Sequence, residues 1–264
     1  MIENMTNNEY KEITLDEAKK IMLDILIQFD KVCKENNLTY WLTAGTLLGA
    51  IRHKGYIPWD DDIDIAMPRK DYEKLIELNF PQELFLQNKY TDKKFNHYWS
   101  KLRYQNSLYI EHDELNKKIE YHQGIFIDIF PMNCINKNII SFYSKLQFFI
   151  NIISSQNRFY NKIFGSVIKT YSIKFLNLFN HENNDICIES IDTADTNIKA
   201  VPKQEIFPLE QGIFEGHKFP IPKNSKYYLR VFYGNSFMEL PPEDARKIHN
   251  YKIFLKNMVA NDKK

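Results

Sequence analysis

Cysteine is scarce in this 264-residue chain: Cys33, Cys134 and Cys187 stand far apart, with no paired spacing. That argues against a disulfide framework or a zinc site and for reduced thiols in a cytoplasmic protein. Net charge is nearly absent as well, at +1, so no global field calls for nucleic acid. No uninterrupted apolar run is long enough for a membrane span. The start, Met-Ile-Glu-Asn-Met-Thr, lacks the basic-then-apolar order of a signal peptide. Internal repeats and low-complexity tracts are missing. One absence is local. From Ile129 through His181 there is no Asp or Glu, while Lys137, Lys145, Arg158, Lys162, Lys169 and Lys174 are spread among Ile, Phe, Tyr and Leu.

What is present suits one domain with an appended part, since 44% of the residues are hydrophobic, enough for an ample core. Thr14-x-x-Glu17 is a capping box that opens a helix, whose apolar stripe runs Leu15, Ala18, Ile21, Met22, Ile25, Leu26, Phe29 and Val32. Asn36-Asn37 ends it. Thr39 to Thr43 reads as a short strand delivering the chain to Gly45-Thr46, where a glycine and a helix N-terminus suit an anion. Pro68 starts the next helix. Phe85 to Tyr90 and Ser107 to Glu111 read as strands, and between them Lys101 and Arg103 share one face of a third. Ile206 to Pro222 is a hairpin turning at Glu215-Gly216, and Asn224 opens a helix that Gly234 stops.

Two acidic features stand out. Asp60, Asp61, Asp62 and Asp64 crowd into five positions. Along a strand, Asp62 and Asp64 would point one way while Ile63 and Ile65 enter the core. Neighbouring carboxylates repel, and a divalent cation removes that penalty. The plain alternative is a solvated acidic turn, weakened by the flanking isoleucines. An EF-hand fails, because Ile65 stands where the loop needs Gly and Asp71 where it needs Glu. The second feature is Gly124-Ile-Phe-Ile-Asp128-Ile-Phe-Pro131, a strand whose one charge must be ion-paired or bound to a metal. No pairing partner is evident in the sequence.

Gly45-Thr46-Leu-Leu-Gly-Ala50, Arg52-His53 and Ile57-Pro-Trp-Asp-Asp-Asp-Ile-Asp-Ile65 together resemble the LicD family, whose members are similar to nucleotidyltransferase-fold enzymes and share the pattern with fukutin-related sugar-phosphate transferases. The string from the hairpin through Tyr233-Gly234, Pro241-Pro242 and Arg246 resembles the family's C-terminal part. The resemblance implies an α/β nucleotidyltransferase-like fold with a mixed sheet. It divides as a catalytic core (1–134), a basic aromatic helical insertion (135–200) and a C-terminal hairpin and helices completing the domain (201–264). It implies Asp62, Asp64 and Asp128 as a catalytic triad holding magnesium, or manganese. Gly45, Thr46, Arg52, His53, Lys101 and Arg103 become substrate contacts. The implied reaction moves a phospho-alcohol head group, phosphocholine by resemblance, from a CDP-linked donor such as CDP-choline to a sugar hydroxyl of a cell-surface glycan or its lipid-linked precursor, releasing CMP. The basic middle would rest on an anionic membrane from the cytoplasmic side, or else be a buried helical pair. Alternatives are a nucleotidyltransferase acting on a small molecule or RNA, and a non-catalytic docking scaffold.

Overall fold

The computed structural model describes residues 9–95, 97, 99–115, 117–142, 145, 175, 178–181, 183–189, 199–246 and 250–257. Most of the acid-free basic stretch, expected as a helical or membrane-resting insertion, lies outside them. Among the described residues no helix is long and apolar enough to cross a membrane.

Strand β1 (Tyr10–Ile13) leads into helix α1 (Leu15–Glu35). The expected capping box closes reciprocally: Glu17 N–H donates to Thr14 Oγ1, and Thr14 N–H donates to the Glu17 carboxylate. Ala18, Met22, Ile25, Leu26 and Phe29 form the buried stripe of α1. Strand β2 is only Trp41–Leu42. It is shorter than expected because Thr39 N–H is diverted to the Asp71 carboxylate and Thr43 turns off to begin helix α2 (Ala44–Arg52). Strand β3 (Asp64–Pro68) and helix α3 (Arg69–Leu75) follow. Strand β4 (Leu84–Gln87) stops before the expected Tyr90, because Asn88 Oδ1 accepts the Tyr90 and Thr91 amides in a side-chain turn.

Next come β5 (Ser100–Tyr104), β6 (Ser107–Glu111), the long β7 (Phe126–Ile135), β8 (Ile186–Glu189), β9 (Ala200–Pro202) and the short helix α4 (Lys203–Ile206). The expected hairpin is β10 (Glu210–Phe214) and β11 (His217–Ile221), turning through Glu215-Gly216 at positive φ. Helix α5 (Ser225–Tyr233) ends at Gly234, φ 82°, and β12 (Asn250–Lys256) closes the order.

The main sheet is mixed, running β2-β3-β7-β5-β4, with β8 paired to β7 and β9 to β8. Residues 186–189, from the stretch read as an insertion, are therefore a strand of the core sheet. A second sheet, β1-β12-β6, joins the two ends of the described chain. The centre of the main sheet is β7, parallel to β3 and antiparallel to β5. Ile65, Ile127 and Ile129 are completely buried there, with Leu47 beside them. This is the mixed α/β architecture the sequence implied.

Candidate functional site

Strand register assembles the site. Asp64 on β3 stands opposite Asp128 on β7, and Lys101 on β5 stands opposite Asp128 from the other side. Three charged side chains thus form one row across three strands. Asp62 lies in the segment just before β3. The strand begins at Asp64 rather than Asp62, although Asp128 N–H still reaches the Ile63 carbonyl at 2.8 Å. Carboxylate oxygens of Asp62, Asp64 and Asp128 all lie within 4.8 Å of one another. The two acidic features, well separated in sequence, therefore meet.

Asp128 is buried, and both of its oxygens are engaged. Trp99 Nε1 donates to Oδ1 at 2.7 Å and Lys101 Nζ to Oδ2 at 3.0 Å. Lys101 is the pairing partner that the sequence did not reveal. Its ammonium also sits over the Phe126 ring, 3.3 Å from the centroid, with the Arg103 guanidinium 4.8 Å from the same ring. The two cations share a face as expected, but both are buried. Arg103 is turned to protein atoms: Nε donates to Gln87 and Nη1 to the Gly124 carbonyl. In the folded chain it is a strut between β4, β5 and the start of β7, not a surface cation.

The four crowded aspartates differ sharply. Asp61 is fully buried, and its Oδ2 accepts from Tyr109 Oη at 3.0 Å and from Asn250 N–H at 2.6 Å. It ties the acidic segment to β6 and β12. Asp62 is half-buried, and desolvation, then the charges of Asp60, Asp128 and Asp61, push its carboxyl up to about 8. Lys101 opposes the shift without cancelling it. The Asp62 carboxyl thus favours its protonated form.

Helix α2 lines the neighbouring wall. It starts with Ala44 at φ 42°, a left-handed conformation costly for a residue with a side chain. Thr43 does not cap it, because Thr43 Oγ1 pairs with Tyr228 Oη at 2.8 Å instead. The first-turn amides therefore lack a side-chain cap beside the acidic segment. Thr46 Oγ1 accepts the Asp64 amide at 2.7 Å, so this expected substrate contact positions a member of the triad. Gly45 has a similar internal reason. A Cβ there would stand 2.7 Å from Asp60 Oδ2, and one at Gly49 would stand 2.4 Å from the Gly55 carbonyl. The glycines let the 55–60 segment lie against α2.

Arg52 and His53 end α2. Arg52 Nη1 donates to the Phe237 and Glu239 carbonyls at 3.1 and 3.0 Å, and its Nε donates to His53 Nε2 at 2.9 Å. Burial, then the adjacent guanidinium, hold His53 below the ordinary imidazole value, so it is a neutral acceptor rather than a ready acid. The hairpin tip braces this loop from outside: Glu215 N–H donates to the Lys54 carbonyl, and Glu215 Oε1 accepts the Tyr56 amide.

The residue that sequence reasoning missed is Trp99. It belongs to the aromatic segment before β5, and its ring continues to His97 at 4.4 Å and Phe130 at 5.6 Å. An aromatic beside a basic strand was the only signal available.

Residues 37–149 match the family model described as LicD/FKTN/FKRP, nucleotidyltransferase domain. The lipopolysaccharide cholinephosphotransferase LicD of Haemophilus influenzae is 46% identical over 72 residues, 27% of each chain. The uncharacterized protein RP689 of Rickettsia prowazekii is 33% identical over 128 residues, 48% of this chain and 47% of that one. The human ribitol 5-phosphate transferase FKRP is 45% identical over 40 residues, 15% of this chain and 8% of that one. The match thus spans less than half the length of each of these relatives. The family model covers Gly45-Thr46, the whole Asp60–Asp64 segment and Asp128. Over residues 37–149 the chain is similar to the nucleotidyltransferase domain of the LicD family.

Proposed function

We propose that the chain is a metal-dependent transferase. It moves a phospho-alcohol head group, phosphocholine first among the candidates, from a CDP-linked donor to a sugar hydroxyl of a cell-surface glycan or its lipid-linked precursor. The observation that carries this reading is the convergence of Asp62, Asp64 and Asp128 to within 4.8 Å. The donor set is all hard oxygen, which fits magnesium or manganese. Desolvation, and after it the crowded charge, lift Asp62 to about 8, and a divalent cation would favour its ionised form. Bound there, the ion would offset the donor's diphosphate charge and acidify the acceptor hydroxyl.

The chain's own residues supply position and charge. Trp99 and Lys101 fix the Asp128 carboxylate in one orientation. The ammonium of Lys101, buried against Asp128, would add positive charge beside the transferred phosphoryl group. Thr46 fixes the Asp64 backbone, and the uncapped start of α2 offers amides to a diphosphate. In the transfer itself, the acceptor oxygen bonds to the head-group phosphorus while the bond to the bridging oxygen breaks. The electron pair leaves with CMP, and the proton of the acceptor hydroxyl passes to solvent. Such in-line displacement is governed by alignment and charge neutralisation. The cholinephosphotransferase and ribitol 5-phosphate transferase names of two relatives support head-group transfer.

The test is a panel of CDP-linked donors (choline, ethanolamine, a polyol) with magnesium, reading CMP by chromatography for the wild type and Asp62→Asn. CMP release by the wild type alone supports the reading. No CMP above the variant's level with any donor refutes it. The family's description favours one second reading, nucleotidyl transfer from a nucleoside triphosphate, which would release pyrophosphate instead.

A further inference from the structure

The strand pair that carries Asp64 and Asp128 at one end runs, four residues on, to Pro68 and Met132. At about 3.3 Å per residue that end lies ~13 Å from the carboxylates. Just beyond it Cys134 on β7 stands directly opposite Cys187 on β8. Both are free thiols, with their sulfurs 2.9 Å apart. Sequence spacing gave no hint of this, because the two residues are brought together only by strand register.

The backbone explains why the sulfurs meet. Cys134 N–H donates to Asn180 Oδ1 at 2.7 Å, and its carbonyl accepts from His181 N and Asn184 Nδ2, each at 3.0 Å. Its main-chain groups are thus committed away from Cys187. The two residues form the non-hydrogen-bonded kind of antiparallel pair, whose Cα atoms approach to about 4.5 Å and whose side chains are closest. That separation falls within the range a disulfide spans. A cavity of about 240 Å³ opens onto both cysteines, and its wall includes Trp41, Asp71, Lys203 and Phe207. Cys187 is buried while Cys134 is partly exposed, so a reagent entering the cavity meets Cys134 first.

We infer that Cys134 and Cys187 are a reversible redox pair, oxidised to a cross-strand disulfide by a low-molecular-weight disulfide that enters this cavity. The Cys134 thiolate attacks the reagent, forming a mixed disulfide and releasing one small thiol. Cys187 sulfur then attacks Cys134 sulfur and releases the second. Two electrons and both protons leave the protein with the two small thiols, so the exchange balances. The product ties β8 to β7 and closes the chain between residues 134 and 187 into a covalent loop. Nothing in this step depends on the transfer chemistry proposed above.

The experiment equilibrates the full chain in glutathione buffers of rising oxidised fraction, quenches with acid, and alkylates under denaturing conditions for mass analysis. The expected result is a fall from three alkylatable thiols to one, Cys33, with a linked peptide joining Cys134 to Cys187 and full reversal by dithiothreitol. Cys187→Ser should stop at a glutathione adduct on Cys134. Three thiols persisting across the whole series would overturn the inference, as would a linkage containing Cys33 or wild-type protein carrying only glutathione adducts.

Discussion

The acidic segment Asp60–Asp64 and the strand pair β5–β7 deliver carboxylates to the same place, yet they are built differently. On β5–β7 the charge arrives with its compensation: Asp128 has the Trp99 indole on one oxygen and the Lys101 ammonium on the other. In the acidic segment Asp61 is held by neutral donors, the Tyr109 hydroxyl and the Asn250 amide. Its neighbour Asp62 is left with a carboxyl raised to about 8, chiefly by desolvation and then by three other aspartates. The fold satisfies the carboxylates that hold the segment in place and leaves Asp62 electrostatically unfinished. Unrelieved charge of this kind marks functional sites more often than structural ones.

The comparison can be broken most sharply at Asp128 and Asp62. Asp128→Asn should lose CMP release by about 10²–10³-fold or more. It should also lose stability in urea unfolding, by at most roughly 3–5 kcal/mol, because Lys101 loses its direct counter-ion while Asp62 and Asp64 stay near. Asp62→Asn should lose activity to a similar degree while raising the melting temperature of the metal-free protein. A fall in that temperature would show that Asp62 is compensated after all. Trp99→Phe keeps the ring and removes the N–H, and should weaken magnesium binding or activity by about 10–100-fold, read by titration calorimetry. Asp61→Ala strands two donors and should cost about 1–3 kcal/mol, with the triad chemistry affected only through the segment's position.

The same imbalance predicts a pH dependence. Asp62 has a folded pKa of about 8, above its ordinary value of 3.8, so the folded chain holds a proton that the unfolded chain releases. That contribution is complete at acidic pH and is lost as pH rises through about 8. In chelator the melting temperature should therefore decline from about pH 5 to 8. Magnesium should flatten or reverse the slope, because ion binding expels the proton. A flat profile in chelator would mean that the crowding is relieved by other means.

Local chemistry was legible in the sequence. The Thr14–Glu17 box, the Glu215-Gly216 turn and the Gly234 stop each depend on residues a few positions apart. Both halves of the acidic cluster were visible singly, Asp62 and Asp64 by alternation and Asp128 as the one charge in an apolar strand. What was hidden depends on register between distant strands. That applies to the Lys101 and Trp99 contacts to Asp128, and to the meeting of Cys134 and Cys187. Arg52 was read as a substrate contact from the family resemblance, and Gly45 from that resemblance and from its place at a helix start. Their observed partners, the Phe237 and Glu239 carbonyls and the Asp60 side chain, follow from packing that no local pattern encodes.

The Tyr228 hydroxyl, completely buried, takes the Trp41 indole N–H at 3.3 Å and pairs with Thr43 at 2.8 Å, while the Glu215 turn grips the Lys54 and Tyr56 backbone. All four of the gripped residues lie inside the stretch 37–149, and both gripping residues lie outside it. The portion recognisable by likeness is therefore shorter than the portion that must be present for it to hold its shape. Cutting at the edges of the likeness would strip the first turn of α2 and the loop behind it of their props, and the excised piece would test the loss of those props rather than the catalyst.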